Sequence, residues 1–261
     1  MFEFKKIFSP NQAINKATLL LVIATQTILF LLLWYSSSEL IPKPHEIWTS
    51  FVAMLKEGDM LRELLVSMGL CIKAMFIAII ISLILAYLTA VPFFRPIAFL
   101  VSKGRFLTLV GLSFVFTLLT SSGHSLKVAL MVFGITVFFV TNMISMIDAI
   151  PKSEFNHART LRFSEWQVVW EVIILGRIHE VFEIIRANFA ISWMMLTMVE
   201  GISRAEGGIG TMLLNQSKHL HLDAVFAIQF VILLVGISMD YLVGVLKNLF
   251  CPYAKLSLEK K

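Results

Sequence analysis

Charged residues are scarce in this 261-residue sequence: Asp, Glu, Lys and Arg make up 15% of it, whereas 58% is hydrophobic and the mean hydropathy is +0.84. Soluble domains contain about 25% charged and about 45–50% apolar residues. A water-soluble fold of this size could not cover so much apolar surface. We therefore expect a protein whose main solvent is the lipid bilayer.

The charges that are present have an excess of cations, with a formal net charge of +5. In a soluble protein this excess would suggest nucleic-acid binding. In a membrane protein it has a simpler explanation, because Lys and Arg accumulate in cytoplasmic loops. We therefore expect the lipid bilayer as a partner and no nucleic acid.

Cysteine and catalytic motifs are also scarce. Cys71 lies inside an apolar run and Cys251 beyond the last one, so no disulfide is expected between them. No segment has the form G-x-x-x-x-G-K-[ST], which excludes P-loop ATP binding by this chain. His219 and His221 lack an evident third ligand. We predict no catalytic residue, no metal and no cofactor bound by this chain.

Long apolar runs dominate what is present. About 20 apolar residues span a bilayer as a helix, and the backbone must then satisfy its own hydrogen bonds. The sequence predicts one all-α, polytopic transmembrane domain over residues 1–261, and we prefer an uncleaved first helix to a signal peptide. About six spans are predicted, at residues 17–35, 65–91, 106–120, 128–150, 181–202 and 224–246.

Charge asymmetry predicts the orientation. With six spans, fourteen Lys and Arg fall on the side of the termini and six on the other side. Cytoplasmic loops carry the excess of Lys and Arg, so we expect both termini in the cytoplasm. The largest polar interruption, residues 151–180, then lies in the cytoplasm as well.

This cytoplasmic loop has the pattern of two short helices. Ser153 is a candidate cap for a helix from Glu154 to about Leu161, and Ser164 with Gln167 forms a capping-box pattern for a second one. Trp166, Val169, Trp170 and Ile173 then lie on one face. The pattern alone leaves open whether the loop lies on the membrane surface or docks another protein.

The loop resembles a known family. The stretch ARTLRFSEWQVVWEVIIL, residues 158–175, is similar to the loop before the fifth helix in type I ABC importer permeases. IPKPHEIW at residues 41–48 and AISWMMLTMVEGISRAEGGIGTML at residues 190–213 resemble other family segments in the same order. The nearest subgroup is the nitrate, sulfonate and taurine importer permeases. Asn156, His157 and Arg162 depart from the Glu, Ala and Gly that the family prefers.

The resemblance implies a permease subunit of an ATP-driven importer in the bacterial cytoplasmic membrane. It implies an ATP-binding subunit that uses ATP and Mg, a second permease copy, identical or not, and an extracytoplasmic solute-binding protein. The first short helix of the loop would be the coupling helix, which docks the ATPase. Its candidate residues are Glu154, Phe155, Asn156, His157, Ala158, Arg159, Thr160, Leu161 and Arg162.

Polar residues inside the fifth span are candidates for a solute path. Trp193, Thr197, Glu200 and Arg204 are spaced to form one stripe, and Glu200 and Arg204 are spaced for an ion pair. Charged residues in a span are costly and often functional. The alternative is a helix seam sealed by polar contacts. Two further candidates lie on a neighbouring face, Asn188 and Ser192.

Basic residues at the outer mouth suggest a small anionic solute, moved by alternating access. Lys73 is expected either to extend outward to the interface or to pair with an acid, and Asp240 to have a structural partner. Two alternative functions remain open. An ion-driven transporter would typically show two similar hydropathy halves. A membrane-embedded enzyme would need acids at one depth, but Glu200 and Asp240 lie at opposite ends of the spans.

Overall fold

The chain folds into helices. The computed structural model describes residues 15–36, 41–204 and 206–252, and no strand occurs in these ranges. The α-helices are α1 Lys16–Tyr35, α2 Pro44–Glu57, α3 Asp59–Leu88, α4 Arg95–Lys103, α5 Leu109–Leu119, α6 Gly123–Asp148, α7 Lys152–Thr160, α8 Glu165–Val168, α9 Ile178–Ile202, α10 Ile209–Lys218 and α11 Leu222–Phe250. A 3-10 turn, Gly104–Phe106, follows α4, and a π-helix, Val169–Leu175, follows α8.

Five of these helices are long and apolar enough to cross a membrane: α1, α3, α6, α9 and α11. They correspond to five of the six predicted spans, which confirms the all-α polytopic class. Helix α3 begins at Asp59, six residues before the predicted start at residue 65. The difference arises because Asp59, Arg62 and Glu63 continue the helix beyond its apolar part, where hydropathy no longer detects it.

The remaining predicted span, residues 106–120, corresponds to α5, which is too short to cross a membrane alone. Helix α5 has 11 residues, which at 1.5 Å each is about 16 Å, roughly half the hydrocarbon thickness. Helix α4 with its 3-10 turn precedes α5 at an angle of 114°. Arg95, the first residue of α4, contacts Asp148 at the end of α6 with an N–O distance of 2.9 Å. Helices α4 and α5 reach the length and hydropathy of a span only as this bent pair, which has the form of a broken span or of a re-entrant loop.

The core lies where α3 and α9 pack on α6. Leu130, Met131 and Ile135 of α6 are fully buried, as are Ala74 and Ala78 of α3. Small side chains let two helices approach closely in a membrane, where packing replaces the hydrophobic effect as the driving force. Helix α1, by contrast, is almost wholly exposed. The chain thus has a compact inner group of spans and one peripheral helix that faces lipid.

Candidate solute path and coupling loop

A groove of about 560 Å³ runs between α9 and α11. Its walls are mainly apolar, with polar groups from Thr197, Gln229 and Asp240. The indole nitrogen of Trp193 donates to the carbonyl oxygen of Ile232 at 2.9 Å, which fixes the ring between the helices. The other lining residues are Phe189, Ala190, Met194, Leu233, Gly236 and Ile237.

Charged groups lie at the end of the groove that Asp240 lines. The guanidinium of Arg186 in α9 donates to the Asp240 carboxylate at 2.6 Å, so Asp240 has the structural partner that was expected. Their side chains remain 40% and 42% exposed. Lys247 and Glu183 form a second pair between the same helices, nearer the end of α11. Half-exposed charges in spanning helices are unfavourable against lipid. This face therefore meets water or another protein.

The predicted path residues separate into two groups. Trp193 and Thr197 line the groove. Ser192 and Asn188 are buried on other sides of α9. The Ser192 hydroxyl donates to the Phe189 carbonyl oxygen and lies 3.7 Å from the Cys71 sulfur in α3, and Asn188 donates to the Ile184 carbonyl oxygen. Their positions fit a seam between helices.

Glu200 lies in a seam too, where it anchors the start of α10. Its carboxylate has no exposed surface. It accepts hydrogen bonds from the Ser67 hydroxyl at 2.6 Å and from the Gly210 backbone N–H at 2.7 Å. The side chain of Arg204 is exposed, and between these two described residues no ion pair forms. The expected Glu200–Arg204 pair was therefore wrong, because Glu200 points inward to α3 and α10.

The segment before α10 is held by residues that the sequence analysis missed. The Glu63 carboxylate accepts a hydrogen bond from the Gly208 backbone N–H. The Ser67 hydroxyl oxygen accepts one from the Ile209 backbone N–H at 2.8 Å. Lys127 of α6, which is 1% exposed, donates to the Gly207 carbonyl oxygen at 2.8 Å. In the sequence, the cluster of Gly207, Gly208 and Gly210 was the signal that could have indicated this contact. Glycines permit close approach of another group to the backbone and positive φ angles.

Lys73 contacts a histidine, and within the described residues it has no acidic partner. Its ammonium group lies 3.1 Å from Nε2 of His124, in the first turn of α6. Nδ1 of His124 lies 2.7 Å from the Glu206 carboxylate. Lysine has only donors, so Nε2 accepts and Nδ1–H donates to Glu206. The row connects α3, α6 and the loop before α10.

The cytoplasmic loop contains the two predicted short helices, with different details. Pro151 precedes the first helix, α7, and Ser153 lies within its first turn without a capping bond, so the predicted Ser153 cap was wrong. The Ser164–Gln167 capping box at α8 is confirmed. After α8 the chain continues as a seven-residue π-helix. Trp166 and Trp170 are 70% and 54% exposed.

Ion pairs hold this loop together. Arg177 donates to both Glu154 oxygens, at 2.6 and 2.7 Å, and to Glu180 at 3.0 Å. Arg159 donates to Glu165 at 2.9 Å, and this bond holds the pKa of the Glu165 carboxyl below its ordinary value. Arg177 thereby joins α7 to the first turn of α9, the helix that lines the groove.

The candidate coupling residues divide into exposed and packed positions. Ala158 is buried and Phe155 is half-buried against the rest of the loop. The exposed positions are Glu154, Asn156, His157, Arg159, Thr160, Leu161 and Arg162. Arg162 has a φ of 61°, which turns the chain between α7 and α8. Within the described ranges, no three His, Cys, Asp or Glu side chains come together as a metal site.

Comparison with known proteins agrees with this architecture. A family described as "Binding-protein-dependent transport system inner membrane component" matches residues 47–249. A crystal structure of an amino acid ABC transporter with histidines is similar, with a TM-score of 0.59 and 16% identity, covering 77% of this chain and 96% of that chain. At this identity the likeness shows the fold alone. No curated protein sequence matches the chain.

The family match covers most of the chain, from the start of α2 to the end of α11. Members of the family are transport subunits, and the ATPase activity resides in a separate partner subunit. The chain belongs to this family and is a membrane-embedded permease subunit of an ABC importer, with the type I permease fold.

Proposed function

We propose that the chain moves a small anionic solute, of the nitrate, sulfonate or taurine kind, inward across the bacterial cytoplasmic membrane by alternating access. Two permease copies face each other across the groove between α9 and α11. An ATP-binding subunit that uses ATP and Mg docks on the cytoplasmic loop. A solute-binding protein delivers the solute at the outer face, and both termini lie in the cytoplasm.

The groove is the observation that carries this proposal. It exposes Thr197, Gln229 and the Arg186–Asp240 pair within spanning helices. Polar groups at this depth are tolerated where they line a water-filled cavity or meet protein. Two facing grooves would enclose a polar path, whereas a single copy would leave these groups against lipid. Of the predicted path residues, we propose that Trp193 and Thr197 line the path.

We propose roles other than lining the path for the remaining predicted residues, which are Asn188, Ser192, Glu200 and Arg204. Ser192 and Glu200 support the path from behind, because their side chains bond to Met75 and Ser67 of α3, whereas Asn188 is buried and bonds to the Ile184 carbonyl oxygen within α9. Arg204 is exposed beyond the outer end of α9, where it can attract an anion to the mouth. Electrostatic attraction of this kind raises the rate of encounter more than the affinity.

The coupling step uses the exposed side of α7. Asn156, His157 and Leu161 are exposed there and are available to an ATPase subunit. Alternating access is a shift between two packings of the spans. ATP binding would favour one packing only if the ATPase contacts differ between the two, so the contact with α7 must change during the cycle.

Site-specific photo-crosslinking tests the partner assignment. A photoreactive residue replaces Asn156 in α7, and a matched variant carries it at Trp48, which is exposed in α2 on the proposed outer side. Membranes are irradiated before purification in mild detergent. We expect a crosslink from position 156 to a soluble Walker-type ATPase and none from position 48. A permease that purifies without an ATPase and gives no crosslink at 156 would contradict the proposal.

A further inference from the structure

The groove between α9 and α11 has balanced charges. Among the described residues that line it, Asp240 carries a charge, and its carboxylate accepts two hydrogen bonds from the Arg186 guanidinium, at 2.6 and 2.5 Å. The positive charge of Arg186 thus balances the negative charge of Asp240 at one end of the groove. A solute with only a negative charge would be attracted by one partner and repelled by the other.

The ion pair keeps free hydrogen-bonding groups on both partners. The bonds to Asp240 use Nε and Nη2 of Arg186, and among the described residues no hydrogen bond engages Nη1. Each Asp240 oxygen accepts one of these bonds and retains a second lone pair. The two side chains are 40% and 42% exposed. Free donors and free acceptors are therefore both accessible to a ligand.

A glycine leaves the free edge of Arg186 uncovered. Gly236, Asp240 and Gly244 are spaced at i, i+4 and i+8 in α11, so they lie on one face of this helix. A Cβ on Gly244 would lie 4.0 Å from both Cζ and Nη1 of Arg186. A large side chain at this position would therefore cover the guanidinium, whereas glycine leaves it open.

The walls beside the ion pair suit the short carbon chain of a solute. Phe189 and Trp193 line the groove and stack on each other, with ring centroids 6.5 Å apart. The indole of Trp193 is held by its bond to the Ile232 carbonyl oxygen. Aromatic faces pack against methylene groups and also attract ammonium groups. The groove thus combines an apolar wall with two opposite charges at one end.

The second ion pair between these helices provides a contrast. Lys247 and Glu183 also join α11 to α9, but neither residue lines the groove. The Lys247 side chain is 18% exposed, less than half the exposure of Arg186. An ion pair that only fixes two helices needs no access to a groove. The position and exposure of the Arg186–Asp240 pair therefore point to a contact with solute.

We propose that the Arg186–Asp240 pair is the solute-recognition element of the groove and that it binds a short zwitterion. The sulfonate of the solute accepts from the free N–H groups of Arg186, and its ammonium group donates to Asp240. Both ends of the solute are then paired while the ion pair stays intact, which a simple anion cannot achieve. This inference rests on the proposed function and narrows its solutes to those that also carry an ammonium group, as taurine does.

Ligand binding to the permease–ATPase complex in nanodiscs tests this assignment. The solute-binding protein is left out, because it would bind the solute itself. Binding of labelled taurine and of labelled isethionate, in which a hydroxyl replaces the ammonium group, is measured by scintillation proximity. Ethylamine, which lacks the sulfonate, is added as a competitor. We expect isethionate and ethylamine to bind about tenfold more weakly than taurine, because each lacks one charged hydrogen-bonding group.

Asp240→Asn separates recognition from a structural role. It removes the group that attracts ammonium and repels anions, so taurine should bind about tenfold more weakly while isethionate binds equally well or better. Arg186→Gln should weaken both ligands. Lys247→Gln, in the ion pair outside the groove, is the matched control and should leave both affinities unchanged. The unfolding midpoint reports whether each variant is folded, and the wild-type preference for taurine needs no variant.

Three results would overturn the inference. They are equal affinities of the wild-type complex for isethionate and taurine, the absence of saturable taurine binding, and a parallel loss of both ligands in Asp240→Asn. A complex that keeps its ATPase and binds isethionate as well as taurine still fits the proposed transport of anions. Loss of the ATPase partner would count against the proposed function itself.

Discussion

At the scale of single residues, the buried carboxylate of Glu200 illustrates how this fold uses polar groups. A buried charge needs hydrogen-bond partners, because its desolvation is costly. Glu200 obtains them from the Ser67 hydroxyl and the Gly210 backbone. These bonds place the start of α10 against α3 and α9. A residue that the sequence suggests for a path thus has an evident role in anchoring the start of α10.

Gly208 is the residue on which this anchor depends most closely. Its φ is +113°, and a Cβ added there would lie 2.2 Å from a carboxylate oxygen of Glu200. Gly208→Ala should therefore destabilise the domain by about 1–3 kcal/mol. Thermal unfolding of the detergent-solubilised complex measures this change, and we expect the midpoint to fall by about 5 °C.

Gly69→Ala is the matched control for Gly208. Gly69 lies within α3, and a Cβ there would meet nothing within 4 Å. Alanine is favoured over glycine inside a helix, so this variant should keep or slightly raise the unfolding midpoint. Equal midpoints for the two variants would show that the Gly208 segment does not contribute to the fold as described.

At the scale of elements, Arg177 is the direct connection between the coupling helix and the path. It binds Glu154 in α7 and Glu180 in α9 with three hydrogen bonds. The intervening backbone is a π-helix, a rare geometry. The ion pairs thus provide a shorter connection than the chain itself, and a displacement of α7 would reach α9 mainly through Arg177.

Arg177→Gln should therefore uncouple ATP hydrolysis from transport. We expect the ATPase to remain bound and active, with solute moved per ATP reduced about tenfold, within the range of typical coupling energies. Uptake and phosphate release, measured together in proteoliposomes, give this ratio. Arg159→Gln is the control, because Arg159 pairs with Glu165 inside the loop and does not reach α9.

Glu154→Gln gives an independent check of the same contact. It should lower the amount of solute moved per ATP, as Arg177→Gln does. The double variant should be little worse than either single variant, because each substitution removes the same interaction. Additive losses would mean that the two residues act separately. A normal transport ratio in Arg177→Gln would remove this residue from the coupling step.

The elements also show what the sequence could predict. The long spans follow from apolar runs, because lipid forces such runs into helices. The Ser164–Gln167 box was predictable because its bonds are local. The 114° bend at Gly104–Phe106 was not, since it depends on how α4 packs on α6, and hydropathy marks only the start of the apolar run at Phe106. The π-helix was likewise hidden behind an ordinary helical pattern.

At the scale of the whole molecule, polarity is distributed along the α9 side of the bundle. The groove and the Arg186–Asp240 pair both involve this helix. The side of α1 is apolar and exposed instead. This asymmetry fits a subunit that turns one face to a partner and the other to lipid.

The sequence predicted the chemistry of the candidate site better than its arrangement. Trp193 and Thr197 could be found by helical spacing along α9. The choice between path and seam for Asn188, Ser192 and Glu200 depends on which face of α9 meets α3, and spacing within one helix does not contain that information. The partners Glu63, Ser67 and Lys127 come from distant segments and needed the fold.

The energy source of transport tests the central claim most directly. The permease is reconstituted with its ATPase and binding protein in proteoliposomes, and uptake of labelled sulfate, nitrate and taurine is measured with and without ATP on the ATPase side. We predict uptake of at least one anion that requires ATP and persists when ionophores abolish ion gradients. Uptake that needs no ATPase and stops with the ion gradient would contradict the account and favour an ion-driven transporter.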